Sequence, residues 1–108
     1  MITGFFPGRI RLRSPVFKNQ AIADRAFSLF TDFHPVTHAE HNTTTGSILI
    51  EYDVTQLPTE TLQQLLPFFK KFEEAADAYS ENNSQPLLNM LDELEAYLKN
   101  LFFDYNDK

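Results

Sequence analysis

The chain has no cysteine among its 108 residues. That single absence excludes disulfides, thiolate metal sites and thiol nucleophiles together. There is no tryptophan, and glycine occurs only three times. The sequence has no P-loop and no other glycine-rich phosphate cradle. No run approaches the roughly 20 apolar residues of a membrane span. The amino terminus has no basic-then-apolar leader, because Pro7, Gly8 and Arg9 interrupt its apolar stretch. The expected location is therefore the cytoplasm, without insertion into a membrane. Net basic charge is also missing: the formal charge is −6, which argues against a nucleic-acid partner.

What is present suits one small domain with a modest core: 43% hydrophobic and 22% charged residues, with 11 phenylalanines. The charge is unevenly placed. Residues 1–31 hold Arg9, Arg11, Arg13, Lys18 and Arg25 against Asp24 alone, whereas residues 72–108 hold nine acids against Lys99 and Lys108. This asymmetry predicts either internal complementarity, or a basic and an acidic face for different contacts. A solvated acidic helix near the carboxyl terminus is the simpler form.

Phe6–Arg13 reads as a first strand with two faces. Ile10 and Leu12 point to one side, and Arg9, Arg11 and Arg13 to the other. Ser14-Pro15 ends it. Asn19 is the predicted N-cap of a helix, and Ile22, Ala26, Leu29, Phe30 and Phe33 form its apolar stripe. Pro35 stops that helix, and a strand over Val36–Asn42 follows. Asn42-Thr43-Thr44-Thr45-Gly46 is a turn, with Gly46 suited to positive φ. Ser47–Asp53 alternates cleanly, with Ile48, Ile50 and Tyr52 facing the core and Leu49 and Glu51 facing away.

Thr59 is the predicted cap of the next helix, whose stripe is Leu62, Leu65, Leu66, Phe69 and Phe72. Pro67 falls inside this stripe and predicts a kink or break. Residues 80–84 form a polar connector. A last helix carries Leu87, Leu91, Leu94, Leu98 and Leu101 on one side. Strand, helix, strand, strand, helix, helix is a split β-α-β arrangement of the α+β class. The fourth strand that usually completes it is not legible, so it is expected to be missing or replaced by the C-terminal helix. The chain divides into a domain over 1–79 and a helical extension over 80–108, packed on the same domain or on a partner.

Pro7-Gly8-Arg9-Ile10-Arg11-Leu12-Arg13, His34-Pro35-Val36 and Asn42-Thr43-Thr44-Thr45-Gly46-Ser47-Ile48-Leu49-Ile50-Glu51-Tyr52-Asp53 together resemble a cysteine-less branch of the heavy-metal-associated (HMA) domain family. The resemblance covers about residues 5–55. It implies a ferredoxin-like fold, found alone or attached to metal-transporting P-type ATPases, so that such a transporter is one implied partner. Metal-carrying members place a Cys-x-x-Cys pair in the loop after the first strand. The matching stretch here, Ser14–Gln20, contains neither sulfur, histidine nor carboxylate, so no ligand residue transfers.

Two kinds of contact site remain. His38 and Glu40 share a sheet face, with Glu51 within reach across the hairpin, and histidine with carboxylate suits zinc, nickel or copper. His34 and His41 stand close in sequence, but His41 points to the opposite face. The row Arg9, Arg11 and Arg13 can pair with Glu51 or dock an acidic partner through bidentate forks. The leucine stripe Leu87, Leu91, Leu94, Leu98 and Leu101 either covers this chain's own core or meets a second subunit. An uncovered edge of the first strand would also favour a homodimer.

No grouping of nucleophile and base for catalysis can be read from the sequence. Acylphosphatases share the layout and use an arginine and an asparagine, for which Arg13 and Asn42 are the candidates, but their phosphate loop is missing. The expected function is a non-catalytic interaction or regulatory module associated with metal-ion transport or homeostasis, needing no cofactor. The alternatives are a His/carboxylate metal-binding protein of the same fold and, less simply, an acylphosphatase-like hydrolase.

Overall fold

A computed structural model describes residues 1–78 and 84–101, the last without its side chain. The elements are β1 (Ile2–Phe6), β2 (Arg9–Arg13), α1 (Gln20–Asp32), β3 (Val36–Asn42), β4 (Ser47–Tyr52), α2 (Thr59–Gln63), α3 (Leu66–Asp77) and α4 (Gln85–Leu101), with a 3-10 turn over Pro15–Lys18. The strands form one antiparallel sheet in the order β1-β2-β4-β3. Both β2 and β3 run antiparallel to β4 between them, so α1 connects two parallel strands across a third. That is the split β-α-β core the sequence indicates, in a mixed α+β fold compatible with the ferredoxin-like layout.

One edge differs from expectation. The predicted first strand is a hairpin: the chain reverses at Pro7-Gly8, and Ile2–Phe6 returns along β2. The edge of β2 is therefore covered, and by the amino terminus rather than by a C-terminal strand. Proline presets φ before a glycine that adopts φ +94°, a combination that suits a tight turn. The Gly8 carbonyl also accepts a bond of 3.0 Å from the Tyr52 amide, tying the hairpin to β4.

Local chemistry explains the other elements. The Asn19 side chain accepts from the Ile22 amide at 3.1 Å and caps α1. Thr59 does not cap α2; it is the first helical residue after Pro58, and no side chain closes that end. The helix predicted through Pro67 breaks: α2 stops at Gln63, and α3 restarts with Pro67 in its first turn, where a missing N–H costs nothing. The Asp53 carboxylate accepts from the Thr55 hydroxyl at 2.7 Å and the Thr55 amide at 2.9 Å. Those bonds, the hydroxyl first, hold its pKa below the ordinary carboxylate value.

One core spans the whole fold. Ile10, Leu12, Ile48 and Ile50 of the sheet, Ile22 and Leu29 of α1, Phe72 of α3, and Leu87, Leu91, Leu94 and Leu98 of α4 are all buried in it. Phe17 from the 3-10 turn stacks on Phe72, with centroids 6.0 Å apart.

The β3–β4 turn depends on Gly46. Its φ is +71°, and a Cβ there would collide with the backbone oxygen of Ser14, whose amide donates to the Gly46 carbonyl at 3.0 Å. Gly46→Ala should cost about 1–2 kcal/mol from the left-handed backbone alone, and more because the hairpin must shift off the end of β2. Urea denaturation checks this. A loss well under ~1 kcal/mol would mean that the turn relaxes freely.

Candidate functional site

Alternation divides the sheet into a face under the helices and a face away from them. On the second, β2 presents Arg9, Arg11 and Arg13, all exposed, while Ile10 and Leu12 are 4% and 1% exposed on the first. Register orders the open face into rows. Phe6, Arg9, Glu51 and His38 lie side by side across the four strands. Gly4, Arg11, Leu49 and Glu40 form the next row, and Arg13, Ser47 and Asn42 the third. Directly opposed residues on one face bring their Cβ atoms to about 4.5–5.5 Å.

Adjacency does not become pairing. Among the described residues, no ion pair joins Arg9, Arg11 or Arg13 to a carboxylate, although Glu51 is the register neighbour of Arg9. Of the two roles the sequence allows this row, pairing with Glu51 is not the one formed. Internal complementarity acts elsewhere. Arg25 on α1 donates to Asp92 at 2.8 and 3.0 Å and to Glu95 at 3.1 Å, pinning α4 to α1. Burial pulls its pKa down, and the bonds to Asp92 and Glu95 outweigh that and leave it raised. The amino-terminal ammonium likewise meets Glu73 on α3. The acidic helices are therefore partly neutralised by Arg25 and the amino terminus, while the arginine row faces the other way.

His38 and Glu40 meet as predicted, with Nε2 and Oε2 3.0 Å apart. Glu51 does not join them, and among the described residues no group of three or more His, Cys, Asp or Glu side chains could hold a metal ion. His34 is exposed ahead of β3. His41 turns to the helix side, as expected, where its ring lies 4.6 Å from that of Phe27 and Nδ1 has no hydrogen-bond partner.

The loop after β2, where the resemblance puts a cysteine pair in metal carriers, has a different task here. It winds into the 3-10 turn, which Ser14 caps by accepting from the Val16 amide at 3.3 Å. Val16 and Phe17 then point into the core at 1% and 3% exposure. The segment anchors the sheet to α3 and offers no donor set for a soft metal.

Arg13 and Asn42 are separated by the whole width of β4. The Asn42 side-chain oxygen Oδ1 accepts from the Thr44 and Thr45 amides at 2.9 and 3.4 Å. No paired acylphosphatase-like site results. On α4, the candidate contact residues Leu87, Leu91, Leu94 and Leu98 are buried at 1–3% in this chain's own core, the first of the two arrangements the stripe allows, and they do not form an exposed surface. The side chain of Leu101 lies outside the described residues. Among those residues, no helix is long and apolar enough to cross a membrane.

In comparison with known families, the chain matches the family described as heavy metal associated domain 2 over residues 1–101. No curated protein and no solved structure matches the chain.

Proposed function

The chain belongs to the heavy metal associated domain 2 family, and from that premise we propose that it is a non-catalytic interaction module of metal-ion transport or homeostasis. In this reading its open sheet face docks an acidic protein surface. The observation that supports it is the arginine row: Arg9, Arg11 and Arg13 are exposed on one strand, with no carboxylate partner among the described residues. Three guanidinium forks at alternate positions of a strand match carboxylates spaced along an extended or helical partner. An exposed pair contributes only about 0.2–1 kcal/mol, so the contact needs several pairs and weakens with salt. By resemblance, a cytosolic segment of a metal-transporting P-type ATPase is the first partner to test.

A second reading rests on the His38–Glu40 contact, a two-residue nucleus for a zinc, nickel or copper site in which a further ligand would come from elsewhere.

The test compares the chain with Arg11→Glu in affinity capture from its native host, alongside native mass spectrometry with each of the three metals. Arg11→Glu should change folding stability by no more than about 0.5–1 kcal/mol and should release the captured partner. A partner held equally well by folded Arg11→Glu would sink the docking reading. One metal ion retained per chain, and lost on His38→Ala, would favour the second reading instead.

A further inference from the structure

The hairpin that covers β2 leaves β1 as a sheet edge, and the two edges of this sheet are built differently. The β3 edge carries His38, Glu40 and His41. Charged and polar side chains of this kind discourage strand addition. The β1 edge reads Ile2-Thr3-Gly4-Phe5-Phe6, has no charge, and is exposed at all five positions. Ile2, Phe5 and Phe6 are 39%, 43% and 72% exposed, and Leu66 beside them is 45% exposed. Beneath the strand, Ile2, Phe5, Leu62, Leu66 and Phe69 line an open groove of about 250 Å³.

Gly4 supplies a second, independent observation. It is not one of the glycines at positive φ. A Cβ at Gly4 would meet only the Arg11 Cβ at 3.7 Å, an ordinary contact. Glycine weakens a strand and marks a bulge or a place where another backbone approaches closely. Gly4 follows the irregularity in the β1–β2 ladder, and its bare backbone also leaves room for a neighbour on the open edge.

We propose that β1 pairs antiparallel with β1 of a second copy of this chain, forming a two-fold dimer with a continuous eight-stranded sheet. The register follows from the strand itself. A bulge at Thr3 interrupts its ladder with β2, so the regular segment is Gly4–Phe6, and a two-fold axis through it falls on Phe5. Each Phe5 then opposes its equivalent. Phe5 is opposite buried Ile10 in its own chain, so both rings lie on the helix side, over the two grooves. On the other face each Phe6 opposes the partner's Gly4. The aromatic ring covers the bare backbone, a cross-strand pairing that compensates glycine in a sheet. The interface is isologous and uses one short segment twice. It also sets both arginine rows on one side of the assembly. This inference stands apart from the docking role of that face, since neither requires the other.

Sedimentation velocity over a range of concentrations tests it. Wild type should sediment as a dimer. Phe5→Lys should be a folded monomer, because a charge on the edge blocks pairing. Gly4→Val should also be a monomer without losing thermal stability, since a β-branched residue suits the strand of an isolated copy but meets the partner's Phe6. The absence of native cysteine adds a register test. Phe5→Cys should crosslink under mild oxidation, because opposed Cα atoms in an antiparallel pair lie at about 4.5–5.5 Å, within disulfide reach. Glu40→Cys on the far edge should not. A monomer at every concentration, a dimer that survives both Phe5→Lys and Gly4→Val, or equal crosslinking at positions 5 and 40 overturns the proposal. The monomer result would leave the edge to a strand from another protein.

Discussion

Ile50→Asp should leave the chain unfolded at room temperature. Ile50 is 4% exposed at the centre of the sheet, with Ile10 opposite it on β2 and Ala39 on β3. Phe30, Leu57 and Leu98 line the same buried space as Ile50, with Tyr52 beside it on its own strand. Removing the isoleucine side chain costs about 2–5 kcal/mol in transfer and cavity terms. The aspartate then adds a buried carboxyl with no partner, which costs several kcal/mol more whether it stays charged or takes up a proton. A domain of this size has about 5–15 kcal/mol in total. Leu49→Asp, one residue away, is the control. Leu49 is only partly buried and stands between Arg11 and Glu40 on the open face, so its change should stay within ~1 kcal/mol. Circular dichroism with urea titration of both variants reads the contrast. A cooperative Ile50→Asp protein as stable as Leu49→Asp would mean that the strand faces are assigned backwards.

That contrast also shows which parts of this fold were legible in its sequence. The facing of β2 and β4 follows from alternation, because each strand has one buried and one exposed side and a one-residue slip would invert both. The α1 stripe and the Asn19 cap were legible for the same reason: burial on one side leaves a period, and a cap leaves a residue type. β1 left neither. A strand exposed at all five positions has no alternation to detect, and its only signal was the Pro7-Gly8 dipeptide, which marks a turn. A first strand read from Phe6 to Arg13 runs through that turn and leaves Ile2–Phe5 unassigned, and with them the strand that covers the edge of β2.

The open face was half legible. Its membership came from alternation, but its electrostatics did not. Adjacency in register brings Arg9 and Glu51 together as candidates; two long, solvated side chains gain too little from pairing to be held there by sequence alone. From the basic half, Arg25 engages the acidic helix, because its position on α1 sets it opposite α4. Only the tertiary packing of those helices makes that contact visible. The loop after β2 was readable for what it lacks. Its positive role, sending Val16 and Phe17 into the core, is not periodic and could not be read.

Leu98→Ala should cost about 2–5 kcal/mol, and the way this loss varies with concentration is as informative as its size. The leucine stripe of α4 allowed two readings from sequence, a helix closing its own core or one closing a partner's. Leu98 is 1% exposed and lines the same space as Ile10, Ile50 and Leu57. Leu91 of the same helix lines a buried space with Leu12 and Phe30, and Arg25 grips Asp92 and Glu95 between the two leucines. A helix packed this way within one chain contributes to a unimolecular equilibrium, so the melting temperature of a monomeric background such as Phe5→Lys should not move with protein concentration. Leu98→Ala in that background should lower it by about 10 °C or more, given roughly 4–8 °C per kcal/mol for a domain of this size. If α4 instead completed a neighbour's core, melting would rise with concentration and the Leu98→Ala loss would grow on dilution. Differential scanning calorimetry at two well-separated concentrations distinguishes these outcomes, and it does so whether or not the edge strands pair.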